Sequence, residues 1–146
     1  MNLLDHFMRW LHVMGAIVAG GAAIFALAAL LPALKLVSDD MRATFHEAIR
    51  PKFAKLISAG IGALIISGVY NYVFVKMPLH KGQGLYHGLM GCKILLALAV
   101  FFIASALTGK ARAFDGMRQK RAVWLTANVS MIAIIVAIGG ILKDMK

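Results

Sequence analysis

Cysteine occurs once in this chain, at Cys92, which excludes an internal disulfide and a Cys-rich metal site. A lone cysteine reads as a small apolar residue on a helix face. Acidic residues are scarce. The six present, Asp5, Asp39, Asp40, Glu47, Asp115 and Asp144, all stand at the edges of long apolar stretches or between them. A proton relay of carboxylates inside such a stretch therefore has no material. Neither does a hard-cation site, which needs oxygen ligands. There is no Ser-His-Asp set and no glycine-rich phosphate loop, so hydrolase and nucleotide chemistry are unsupported. No internal repeat, low-complexity tract or linker divides residues 1–146, which read as one domain.

Apolar residues fill the space left by these absences. They make up 61% of 146 residues, against roughly half in a soluble domain, and mean hydropathy is +0.81. Four charge-poor stretches carry the excess: Trp10–Leu34, Leu56–Val75, Gly82–Gly109 (interrupted only by Lys93) and Ala122–Leu142. About 20 apolar residues cross a bilayer as a helix, and a helix satisfies its own backbone groups, as lipid demands. The expected fold is all-α: an integral membrane four-helix bundle running up-down-up-down, with helices near 8–36, 51–76, 84–109 and 119–143. The first stretch is too long for a signal h-region, so the chain is expected to be retained whole.

A net charge of +10 could suggest nucleic acid, but the distribution argues against it. The first loop holds Lys35, Arg42, Arg50, Lys52 and Lys55. The third holds Lys110, Arg112, Arg118, Lys120 and Arg121. The other side has only Arg9, Lys76, Lys81, Lys143 and Lys146. Positive charge sets orientation, which predicts cytoplasmic first and third loops and periplasmic termini in a bacterial inner membrane.

Within "SDDMRATFHEAIRPK", Ser38 caps a short interfacial helix and Pro51 opens the first turn of the second span. His46 and Glu47 are expected to be solvated there. Gly15, Gly20 and Gly21 let another helix approach closely or make room for a flat ligand. Tyr70 and Tyr72 suit an interfacial belt, and Asn71 needs a partner at that depth. Asn128 is expected to hydrogen-bond a neighbouring helix.

His12 and His87 lie just inside the first and third spans, which run parallel, so the imidazoles share a depth. Two such rings on facing helices can serve as axial ligands of a b-type haem. Asn71, Tyr72 and His80 come at the same height, while His6 is closer to the terminus and interfacial. Lys93 is deeper. An ammonium there costs on the order of 3 kcal/mol on insertion scales, so it is expected to face the interior with a partner. Tyr86 and Lys93 share one stripe and would orient propionates, a quinone oxygen or a substrate carboxylate. Met8, Met14, Met77 and Met90, together with the imidazoles, offer an alternative set for Cu(I). Without any cofactor, the same polar groups would join helices in a structural subunit.

"RWLHVMGAIVAGGAAIF" resembles the first helix of copper-resistance D-domain (CopD-like) membrane proteins, through Arg9, Leu11, His12, Gly20 and Gly21. "YHGLMGCK" is similar to that family's Tyr-x6-Lys helix opening, at Tyr86 and Lys93. "KFAKLISAGIGALIISGVYNY" is similar to its basic start and small-residue helix end. Val18 and Ala19 replace a tryptophan common before the Gly-Gly pair, and Asn128 stands nearest to an acidic residue of the last helix. The resemblance extends to HemJ-like proteins, which share the first-helix histidine and third-helix lysine. It implies haem b binding and membrane oxidation of the protoporphyrinogen-oxidase type, or copper uptake. His12 and His87 would be the metal ligands, with Arg9 and Asn71 beside the cofactor and Lys93 and Tyr86 at the reacting end. Expected partners are the lipid bilayer, a membrane electron carrier such as a quinone, and a second copy or a larger membrane complex.

Overall fold

The computed structural model describes residues 2–145, and among them there is no strand. The long helices are α1 (Leu3–Leu34), α2 (Asp39–Leu79), α3 (Gly84–Thr108) and α5 (Arg121–Asp144). A 3-10 turn and the short helix α4 (Asp115–Gln119) join α3 to α5. All four long helices are long and apolar enough to cross a membrane.

Their outward surfaces are apolar. Trp10, Ile17, Phe25, Ile66, Phe74, Leu95 and Val136 are each at least half exposed. A soluble protein rarely leaves so much contiguous apolar surface bare, whereas hydrocarbon solvates it without cost.

Capping groups begin α1 and α2. Asn2 and Asp5 form a reciprocal capping box at 2.9 Å each way, and Ser38 accepts from the Met41 N–H, as its position predicts. From Ser38 the helix continues without interruption. Pro51 therefore does not open a second span; it lies inside α2, twelve residues past the start. Its ring is exposed, so the carbonyl that loses a partner faces outward. At ~1.5 Å per residue α2 is about 60 Å long, twice the ~30 Å hydrocarbon thickness, so it is longer than a span requires.

The other two prolines leave a different mark. Pro32 and Pro78 are each preceded by a π-helical turn, Ala26–Leu30 and Asn71–Lys76. A proline cannot donate to the carbonyl four residues back and collides with it; widening the preceding turn relieves the collision.

α1 packs chiefly on α2, and α3 chiefly on α5. The two pairs meet more lightly along α2–α3 and α1–α5. The α1–α2 contact is closest where Gly15 meets Gly60. A Cβ at Gly15 would stand 3.0 Å from the Gly60 carbonyl oxygen. Gly21, by contrast, has nothing within 4 Å of a built Cβ. The apolar core, Ala26, Ile103, Leu107 and Leu125, lies toward the loops rich in arginine.

Candidate functional site

The polar residues singled out by sequence divide between two regions. At the end that carries the termini, α2 presents Asn71 and Tyr72 from its π-helical turn, and the α2–α3 turn presents His80. The Asn71 amide donates to the Met8 carbonyl at 3.3 Å, which supplies the partner its depth requires. Tyr70 donates to Asp5 at 2.9 Å.

His87 sits in a closed network. Its Nε2 lies 3.0 Å from the His80 carbonyl oxygen and its Nδ1 lies 3.1 Å from the Tyr72 hydroxyl. A carbonyl can only accept, so Nε2 carries the proton and Nδ1 accepts from Tyr72. The His80 Nδ1 in turn meets Gln83 Oε1 at 2.8 Å, and its ring stacks on Tyr86 with centroids 3.7 Å apart. Gly82, at φ +81°, supplies the left-handed residue that closes this turn. Tyr86 is 1% exposed. Both ring nitrogens of His87 are thus engaged by protein groups, and the expected pairing of His87 with His12 as ligands has no free nitrogen on the His87 side.

His12 is arranged differently. It is half-buried at the α1–α2 interface, with Nδ1 3.0 Å from the hydroxyl of Ser67, which is wholly buried. The Ser67 hydroxyl proton is already directed at the Ala63 carbonyl. The imidazole must therefore donate through Nδ1. In the neutral ring this leaves the Nε2 lone pair available, which is the tautomer and orienting contact typical of a ligating histidine.

Lys93 faces inward, as expected of an ammonium in a span. It lies within electrostatic reach of His12 on α1 and Lys76 on α2, and its Nζ would stand 3.4 Å from a Cβ built at Gly139 on α5. Among the described residues it has no hydrogen-bond or carboxylate partner. Arg9 and His6 are exposed on α1. Cys92 is exposed, and among the described residues no three His, Cys, Asp or Glu side chains gather as a metal site.

The second region was not anticipated. At the opposite end, a narrow cleft of about 60 Å³, open to the surface, runs between all four long helices. His46, expected to be solvated, is half-buried and lines it, together with Arg50, Arg121 and Asn128. Glu47 is exposed, as expected. The Asn128 amide donates to the Val100 carbonyl at 3.0 Å, as its sequence position predicts, but its Oδ1 is buried without a partner. In the sequence these arginines counted only as charge that orients spans. The available signal was the run of small residues Ala22, Ala23 and Ala26 facing Ala104.

Four helices long and apolar enough to cross a membrane, with a half-buried histidine and lysine among them, mark a helical membrane protein. Compared with protein-family models, curated proteins and solved structures, the chain matches none of them.

Proposed function

We propose that this chain is a small integral membrane protein that binds one haem b and takes part in electron transfer or oxidation at the membrane. His12 is its protein ligand. One observation carries this reading: Ser67 holds the His12 Nδ1–H and leaves Nε2 as a lone pair. The donor set fits a haem held by one histidine, not a clamp of two. Lys93 and Lys76 supply positive charge for the propionates. Haem bound there would supply a one-electron couple exchanging with a membrane carrier such as a quinone. The HemJ-like resemblance supports the same cofactor, the CopD-like one points to copper instead, and a protoporphyrinogen-oxidase-like activity is the enzymatic form of the proposal.

The accompanying arrangement is an up-down-up-down bundle forming one domain. Its arginine-rich end faces the cytoplasm and its termini the periplasm, following the Lys and Arg asymmetry. A second reading, a cofactor-free structural subunit, is favoured by the closed network of Tyr72, His80 and His87.

The absorption spectrum of detergent-purified protein tests the proposal. The expected result is a Soret band that His12→Ala abolishes and His87→Ala preserves. A band that requires His87 but not His12 would overturn it. A colourless protein would also overturn it, in favour of copper handling if Cu(I) binds through His12 and the methionines, and of the structural subunit if nothing binds.

A further inference from the structure

The cavity at the arginine-rich end is built like a receptor for a charged head on an apolar tail. Its walls are apolar, with Ala22, Ala26, Phe53, Ile57, Ala104 and Leu125 prominent among them. Its mouth is cationic, and a second, contiguous hollow there is lined by Leu31, His46, Arg50, Arg118 and Arg121. Asn128 lies seven residues beyond Arg121 on α5, about 10 Å deeper and on nearly the same face. Asn128 marks the inner end of the cleft, and its side chain is anchored by its own bond to the Val100 carbonyl.

Capping accounts for only part of the arginine cluster. Arg50 donates to the carbonyls of Thr108 and Gly109. Arg118 donates to Ala106, Gly109 and Ala111 and pairs with Asp115. Arg121 donates to Leu107 at 2.9 Å. These are orphan carbonyls at the negative end of α3. A guanidinium has five N–H groups, and Arg121 commits only one of its two Nη2 protons to this cap. Among the described residues the ion pairs are Arg42–Asp39 and Arg118–Asp115, so Arg50 and Arg121 have no carboxylate. They are held side by side, because they cap three consecutive carbonyls, Leu107 for Arg121 and Thr108 and Gly109 for Arg50. Two guanidinium groups held together without an anion, over an apolar shaft, favour an oxyanion that carries a chain.

We propose that this cleft binds a single-chain anionic amphiphile, its carboxylate or phosphate on Arg50 and Arg121 and its apolar chain between the α1–α2 and α3–α5 pairs toward Asn128. The lighter packing between the two pairs leaves the space that the chain enters. This site is separate from His12 and does not depend on the haem reading.

Native mass spectrometry of the full chain in a neutral detergent tests it, with oleate, lysophosphatidate, monoolein and inorganic phosphate as probes. Oleate, lysophosphatidate or both are expected to bind one per chain, which identifies the head as carboxylate, phosphate or either. Monoolein is expected not to bind, and inorganic phosphate not to displace the bound probe. Arg121→Gln, which removes one capping bond, should weaken binding about tenfold. Ala104→Leu, which fills the shaft and leaves the arginines intact, should abolish it while the protein stays folded. Four results would each overturn the proposal: no binding of either oleate or lysophosphatidate, equal occupancy by monoolein, displacement by inorganic phosphate, or binding unchanged in Ala104→Leu.

Discussion

Ser67 on α2 accepts a hydrogen bond from His12 on α1 at 3.0 Å, across 55 residues of sequence, and so decides which imidazole nitrogen is free. Ser67 is wholly buried and its own proton is committed to Ala63. Orienting partners of this kind commonly contribute 10–100-fold to metal affinity. Ser67→Ala is therefore expected to leave the fold intact and to lower haem retention by about tenfold or more. Titration of the apoprotein with haem, followed at the Soret maximum, measures this; an unchanged affinity would show that His12 does not act through Ser67.

Gly15 and Gly21 separate close packing from spare room on the same helix. A side chain at Gly15 meets the Gly60 carbonyl and Leu64, while one at Gly21 meets nothing within 4 Å. Gly15→Leu should destabilise the protein by about 1–3 kcal/mol through overpacking. Gly21→Ala should be neutral or stabilising by up to about 1 kcal/mol, because alanine is the better helix former. Denaturation in detergent ranks the two, and equal effects would contradict the described α1–α2 approach.

Tyr72 and His87 should be energetically coupled. Their 3.1 Å hydrogen bond joins α2 to α3 next to the turn at Gly82. A double-mutant cycle of Tyr72→Phe and His87→Phe should give a coupling of about 1 kcal/mol. Simple additivity would mean the two side chains do not touch.

The arginines at the end of α3 should differ in their structural weight. Arg118 meets three carbonyls and Asp115, Arg50 two carbonyls and Arg121 one. Charge-assisted bonds to half-buried carbonyls are worth more than surface ion pairs. Alanine substitution is expected to cost about 2 kcal/mol or more at Arg118, less at Arg50 and about 1 kcal/mol at Arg121. Melting curves of the three ligand-free variants give the order; a reversed order would remove the capping explanation.

The spans were legible because hydrocarbon imposes a rule that each stretch obeys separately: twenty apolar residues, bounded by Lys or Arg. The Ser38 cap was legible for the same reason, since its bond to Met41 is three residues away. Pro51 misled because a proline tolerated at a first turn is also tolerated inside a helix when its freed carbonyl faces outward. His46 misled because the cleft it lines is shared with Arg121 and Ala104, which come from α5 and α3.

The amino-acid order by itself determined four apolar helices, the basic residues that bound them, and a lysine within the third that needs compensation. Only the tertiary structure decided what the two histidines do. Each ring takes its protonation pattern from hydroxyls and carbonyls that other helices bring to it, and hydrophobic periodicity carries no record of which atoms those are. Ser67 leaves His12 with a lone pair, whereas Tyr72 and the His80 carbonyl leave His87 with none.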